Sequence, residues 1–169
     1  ATVRPLPAAA VHLQTVCEHW TVIERLLREI LTGPRRPLPA SFPRRMSLEG
    51  MHIAVDVANG AAYKSTPCIL RELGAELTIA HNEPNGTNIN ADCGSTHPAE
   101  IQRIVRQTGA QVGITHDGDA DRVLLCDEKG NLIDGDDIMA IAAIDMLAQK
   151  TLAGRTLVAT VMSNAGLEA

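Results

Sequence analysis

The sequence predicts an α/β fold, a three-layer α/β/α arrangement around a mostly parallel sheet, and three observations lead there. From about residue 50 onward, short runs of Val, Ile and Leu alternate with longer segments of helical spacing. Gly, Pro and Asn fall at the changes of pattern, where turns are needed. The 169 residues are 45% hydrophobic and 21% charged, an ordinary globular balance, yet only 2% are aromatic, so the core is built from Ala, Val, Ile and Leu. That composition argues against a disordered, collagen-like or low-complexity chain. No run approaches the ~18 apolar residues of a membrane span. The lack of aromatic stacking platforms disfavours single-stranded nucleic acid as a partner.

Taken in order, residues 11–31 have helical spacing, with Leu13, Val16, Cys17, Trp20, Ile23, Leu27, Ile30 and Leu31 on one broad face. Gly33-Pro34 stops that helix, and Pro34-Arg35-Arg36-Pro37-Leu38-Pro39 makes a stiff linker. Such a helix seeks an apolar groove on this chain or on a neighbour. Mixed Glu and Arg on its polar face argue against a calmodulin or membrane target. Met51–Val57 reads as a strand, Asn59-Gly60 as a turn, Ala61–Leu73 as a helix stopped by Gly74, and Ala75–Ala80 as a second strand. Residues 81–97 form a long polar loop, and Pro98 suits the first turn of a helix that runs to Thr108 before Gly109. Gln111–Thr115 and Val123–Asp127 are strands, and Leu132-Ile133 returns after a turn over residues 128–131. Asp134-Gly135-Asp136 caps a helix over Asp137–Lys150, and Thr156–Met162 is a last strand.

Charge is spread unevenly about the net value of -5. Residues 1–45 hold seven Arg against three Glu, whereas residues 117–137 hold eight carboxylates against Arg122 and Lys129. That acidic stretch suits a cation and disfavours a nucleic-acid surface. Four widely separated cysteines (Cys17, Cys68, Cys93 and Cys126) form no CxxC pair and read as free thiols of a reducing compartment. No secretory signal pattern opens the chain, which points to the cytoplasm. The chain opens on Ala rather than Met, as a partial or trimmed chain does.

The residues that carry chemistry are His116-Asp117-Gly118-Asp119-Ala120-Asp121-Arg122. Three carboxylates alternate with small residues just after an expected strand, where open α/β sheets place ligands. Three close carboxylates repel one another unless a cation is present, and an all-oxygen set favours Mg²⁺ or Ca²⁺. Asp117, Asp119, Asp121 and Glu128 fit positions 1, 3, 5 and 12 of an EF-hand loop, but Arg122 stands where the sharp turn needs Gly and the flanks read as strands. Asp119-Ala120-Asp121-Arg122-Val123 fits a short DxDxV phosphotransferase pattern, but Asp119 does not directly follow its strand. A merely solvated acidic loop is the third reading.

The run Asp117–Arg122 resembles the metal loop of the α-D-phosphohexomutases. The runs Ile53–Tyr63, Asn82–Asn90, Cys93–Pro98, Gly130–Asp136 and Thr160–Asn164 extend the resemblance over about residues 41–169. The Asn-rich loop with Cys93-Gly94-Ser95-Thr96-His97-Pro98 is similar to the glucosamine branch of that family more than to its glucose/mannose branch. The resemblance implies the second domain of a four-domain enzyme over residues 41–153 and the start of a third domain over 154–169, with residues 1–40 unmatched. It further implies that Asp117, Asp119 and Asp121 bind Mg²⁺ and that Arg122 supports the site, facing a phosphate or bracing the loop. A phosphoserine in a Ser-His-Asn-Pro setting would exchange its phosphoryl group with glucosamine 6-phosphate to give the 1-phosphate, toward cell-wall precursors. This sequence has no such motif. The implied partners are a phosphosugar and the remaining mutase domains or another protomer, with no membrane and no nucleic acid. The alternative is a non-catalytic fragment or interaction module that keeps the fold.

Two departures from the family pattern stand out: His116 where Phe is common, and Ala120 where Gly is common. His116 reads as hydrogen-bonded beside the loop, because Mg²⁺ prefers oxygen. Ala120 is mild unless its position needs positive φ. Asp56 reads as capping the Asn59-Gly60 turn. Thr96 or His97 reads as lying near the cap of the next helix. Cys68, Cys93 and Cys126 read as structural thiols, and His52, His81 and His97 as scattered residues without ligand spacing.

Overall fold

β1 (His52–Asp56) runs through the interior, and Ile53, Ala54, Val55 and Asp56 are all fully buried. The computed structural model describes residues 47–159 together with 162 and 163, so the expected helix over 11–31 and the Pro/Arg linker lie outside the described residues. The described residues divide into two units, with the chain passing from one to the other between Ile133 and Asp134.

In the first unit β1 is followed by a 3₁₀ turn (Ala61–Tyr63), α1 (Ser65–Glu72), β2 (Glu76–Ala80), α2 (Ala99–Thr108), β3 (Val112–His116), β4 (Val123–Cys126) and β5 (Leu132–Ile133). The five strands are ordered β2-β1-β3-β4-β5. β1 pairs in parallel with β2 on one side and with β3 on the other. The chain therefore steps one way across the sheet through α1 and the other way through α2. Right-handed crossovers in opposite directions put the two helices on opposite faces, which gives the expected three layers. The link from β3 to β4 is only residues 117–122, too short for a crossover, so β4 returns antiparallel and β5 follows it in a hairpin. The α/β class is as expected, and its sheet is mixed.

The expected helix over Ala61–Leu73 is divided at Lys64. Pro67 explains this: without an N–H it belongs in a first turn, so α1 starts at Ser65. Left-handed Gly74 (φ +96°) and Gly109 (φ +69°) stop α1 and α2. Ile101, Ile104 and Val105 of α2 pack with Ala54, Ala110 and Cys126, and Ala80 borders the cluster. The β4–β5 turn is tied by the Asp127 carboxylate, which accepts from the backbone of Lys129 (2.9 Å) and Asn131 (2.7 Å).

The second unit holds α3 (Gly135–Ala148). The Asp134 carboxylate accepts from the backbone of Asp136 and Asp137, and the Asp137 side chain accepts from the Asp134 N–H, a reciprocal cap at the expected place. The expected strand over 156–162 does not form in the described part of that range. Thr156 has extended dihedrals, but a strand needs a ladder partner, and Leu157 and Val158 stay exposed. Among the described residues no helix is long and apolar enough to cross a membrane.

α2 packs against Gly113 of β3, where an added Cβ would lie 2.4 Å from Cys126 Sγ and 2.7 Å from Val105 Cγ2. Gly113→Ala is expected to destabilise the fold by about 1–3 kcal/mol in urea unfolding. Gly135→Ala, whose Cβ would meet nothing within 4 Å, is expected to leave stability unchanged or raise it by up to about 1 kcal/mol. Equal effects from the two would show that the contact over Gly113 is not tight.

Candidate metal centre

The register of the parallel strands fixes what meets at their carboxyl ends. Asp56, the last residue of β1, lies beside Ala80 of β2 and Thr115 of β3. The strand order reverses between β1 and β3, so the loops that leave them border the place where open sheets bind ligands.

The loop after β3 brings Asp117, Asp119 and Asp121 together, each with a carboxylate oxygen within 4.8 Å of the others'. Asp117 is buried, whereas Asp119 and Asp121 are exposed. The backbone turns tightly: the Ala120 N–H donates to the Asp117 carbonyl (3.1 Å) and the Asp117 N–H to the Arg122 carbonyl (3.3 Å). Flanking strands, not helices, end the EF-hand reading. Ala120 sits at φ +63°, so this position does need the left-handed region, at a cost of about 1 kcal/mol. Neighbouring backbone holds the loop in place. The Ala61 N–H donates to the Gly118 carbonyl at 2.8 Å. A Cβ on Gly60 would fall 2.3 Å from that carbonyl oxygen, and one on Gly118 would fall 2.5 Å from Ile89 Cγ1.

Asp117 is the pinned ligand candidate. Its Oδ1 accepts from the Arg122 N–H (3.1 Å) and its Oδ2 from Arg122 Nε (2.8 Å). Burial by itself pushes the Asp117 carboxyl up, but these two donors and a hydrogen bond with Asp121 outweigh it and hold the group below the usual range. Asp121 is shifted up, first by its hydrogen bond with Asp117 and then by the Asp119 charge. Arg122 is 69% exposed and also lies 3.5 Å from Asp121, so it braces the loop in this structure while facing solvent. An oxygen-only donor set of three carboxylates is what a hard divalent cation takes.

His116 is buried and its Nε2 lies 3.2 Å from Thr66 Oγ1, a hydrogen-bonded neighbour of the loop. Asp56 does cap its turn, accepting from the Ala58 N–H at 2.9 Å, and it does more: its other oxygen accepts from the Gly94 N–H at 2.8 Å. Residue 98 precedes α2 as its N-cap with no side-chain cap bond, and Thr96 instead bonds His97 Nδ1 at 3.2 Å. The structure also gathers residues that the sequence scatters. Asp56, His81 and Cys93 bring potential ligand atoms within 4.8 Å of one another, although no sequence spacing marks them. His81 follows Ala80, the register neighbour of Asp56, and Cys93 precedes the Gly94 that bonds Asp56. Strand register brings His81 to Asp56, and the Gly94 bond to Asp56 brings in Cys93.

Residues 40–130, more than half of the chain, match the family model of phosphoglucomutase/phosphomannomutase, alpha/beta/alpha domain II. The chain is 57% identical over 131 residues to the phosphoglucosamine mutase of Geobacter sp. (strain M21), covering 78% of this chain and 29% of that protein. It is 54% identical over 128 residues to the phosphoglucosamine mutase of Agrobacterium fabrum (strain C58 / ATCC 33970), covering 76% of this chain and 28% of that protein. It thus spans less than a third of the length of these curated relatives. A crystal structure of a phosphoglucomutase/phosphomannomutase family protein from Burkholderia thailandensis superposes with a TM-score of 0.57 at 22% identity, over 76% of this chain and 26% of that one, a likeness of fold.

Burial holds the His116 imidazole down to about 4 from 6.5, against the opposing pull of the Asp117 and Asp56 charges. The folded state keeps it neutral while the unfolded state takes up a proton below 6.5, so stability falls as pH drops through that window. In the presence of a chelator, the loss between pH 7 and pH 4 is expected to be on the order of 3 kcal/mol. Asp117 acts lower: its stabilisation is lost only below the ordinary carboxylate range. Urea unfolding of His116→Asn should show a flatter profile between pH 7 and 4. A profile as steep as that of the unsubstituted chain would mean that His116 is not the group responsible.

Proposed function

Because the chain belongs to the phosphoglucomutase/phosphomannomutase family of α-D-phosphohexomutases, we propose that it is the metal-loop domain of a phosphoglucosamine mutase, which interconverts glucosamine 6-phosphate and glucosamine 1-phosphate. The observation that carries this reading is the convergence of Asp117, Asp119 and Asp121 at the carboxyl end of β3. Curated relatives at 54–57% identity bear the phosphoglucosamine mutase name, which favours the glucosamine branch over the phosphoglucomutase/phosphomannomutase branch. The reading carries with it a cytoplasmic enzyme of amino-sugar and cell-wall precursor synthesis.

In this reading Asp117, Asp119 and Asp121 hold Mg²⁺, to which their oxygen-only set is suited. The bound ion supplies charge neutralisation for a phosphoryl group in transfer. The protein's own contribution is rigidity. Asp117 has both oxygens fixed by Arg122, so its orientation is set before substrate arrives. Asp119 and Asp121 stay exposed, open to the phosphosugar side. Arg122 keeps Asp117 charged and offers the outward part of its guanidinium to a substrate phosphate. Residues 41–153 serve as the domain and residues beyond them begin the next one. The phosphoserine comes from the remaining mutase domains or another protomer, because these 169 residues hold no Ser-His-Asn-Pro motif. The chain by itself is therefore a folded, non-turning-over metal-loop domain.

Two measurements test this. The purified chain, assayed with glucosamine 6-phosphate, Mg²⁺ and a catalytic amount of sugar bisphosphate, is expected to produce no glucosamine 1-phosphate. Turnover that disappears in Asp119→Asn would overturn the division of labour. A chimera that places residues 41–153 into a related full-length phosphoglucosamine mutase is expected to turn over glucosamine 6-phosphate, and Asp119→Asn within it to lower kcat by about 10²–10³-fold. An unchanged kcat would remove Asp119 from the site. A preference of the chimera for glucose or mannose phosphates would favour the other branch.

A further inference from the structure

We propose that Asp56, His81 and Cys93 form a second metal site, separate from the carboxylate loop, that takes zinc or a similar borderline-soft divalent cation. The three donors come from three segments: the end of β1, the residue after β2, and the long polar loop. Their potential ligand atoms lie within 4.8 Å of one another. Asp56 and Cys93 are fully buried.

The contact between His81 and Asp56 is the telling one. His81 Nδ1 lies 3.1 Å from Asp56 Oδ1 and is shielded from solvent, yet it makes no hydrogen bond. That separation suits a proton or a metal ion between the two, and of these only a metal ion also engages the sulfur of Cys93. A tetrahedral zinc, with bonds of about 2.0–2.3 Å, places its ligand atoms about 3.3–3.8 Å apart. The observed grouping reaches that spacing with closure of at most about 1.5 Å.

The chemistry of the donors separates this site from the carboxylate loop. One sulfur, one nitrogen and one oxygen select zinc, and three carboxylates select magnesium. Both Asp56 oxygens keep a free lone pair after accepting from Ala58 and Gly94. Burial, followed by the charges of Asp56, Asp92 and Glu100, pushes the Cys93 thiol up to about 11. It is therefore neutral until the metal binds, and binding releases its proton to solvent. His81 also lines an open cleft with Asn59, Asn82, Glu83, Asn85 and Asn88. A metal here would clamp the polar loop to the end of β1. That loop supports the carboxylate loop, because the Ser95 N–H donates to the His116 carbonyl at 2.8 Å.

Co²⁺ is the probe. Titrated into the purified chain under reducing conditions with excess Mg²⁺, it is expected to produce a thiolate-to-cobalt charge-transfer band that saturates at one ion per chain. Zn²⁺ should then displace the ion and bleach the band. Cys93→Ser should abolish the band, and His81→Asn should weaken Zn²⁺ binding by more than about tenfold. Asp119→Asn should change neither, which keeps this test independent of the mutase reading. His81 is partly exposed, so its variant remains informative if Cys93→Ser fails to fold. Absence of the band in the unsubstituted chain, its persistence in Cys93→Ser, or undiminished Zn²⁺ affinity in His81→Asn would each overturn the proposal.

Discussion

A single buried carboxylate organises the carboxyl edge of this sheet. Asp56 is fully enclosed at the end of β1, where an unpaired charge would cost several kcal/mol. Each of its oxygens takes a backbone N–H, from Ala58 on the local turn and from Gly94 on a loop 38 residues away. The cost of burying the charge thus becomes a constraint on two segments. The Gly94 segment carries that constraint onward, since the next N–H, that of Ser95, donates to the His116 carbonyl at the start of the carboxylate loop. The turn segment does the same: the Ala58 carbonyl accepts from Asn90, whose side chain packs near Gly118.

The carboxylate loop meets the opposite electrostatic problem. Three acidic side chains share a small volume, and only Asp117 among them is buried as Asp56 is. The loop keeps them together by backbone geometry rather than by charge pairing alone. Six residues join two antiparallel neighbours, so the chain must turn at once, and Ala120 accepts a left-handed conformation to let it. Arg122 neutralises part of the charge, and it does so at Asp117, the one carboxylate that is buried. Asp119 and Asp121 are left open to solvent. This asymmetry, one fixed ligand and two accessible ones, suits a cation that must also meet a substrate.

Much of this was legible in the sequence because it is local. The strands are short apolar runs, Gly74 and Gly109 mark the helix ends, and the alternating acidic loop announces itself in seven consecutive residues. The cap at Asp134 was readable for the same reason. Features that depend on position across the sheet were not. The division of the first helix was written in Pro67, a signal that helical periodicity alone overlooks. The expected strand at 156–162 has the right composition, but composition cannot supply a hydrogen-bonding partner. The meeting of Asp56, His81 and Cys93 follows from the pairing of Asp56 with Ala80 and the Gly94 bond to Asp56, which no spacing in the sequence encodes. The left-handed demand at residue 120 likewise emerges only when the turn is built.

The pairing of β1 with β3 joins Ile53 to Val112 and Asp56 to Thr115 across the intervening β2 and both helices. That is a long chain closure, and such closures slow folding because their entropy is lost before their contacts repay it. The β1–α1–β2 unit can form from nearer neighbours, and so can the β4–β5 hairpin. The carboxylate loop depends on both sides of the distant pairing, through Gly118 to Ala61 and through His116 to Ser95. Its final shape is therefore among the last things the nascent chain acquires, so a cation that recognises the loop would select chains whose most distant strands have already met.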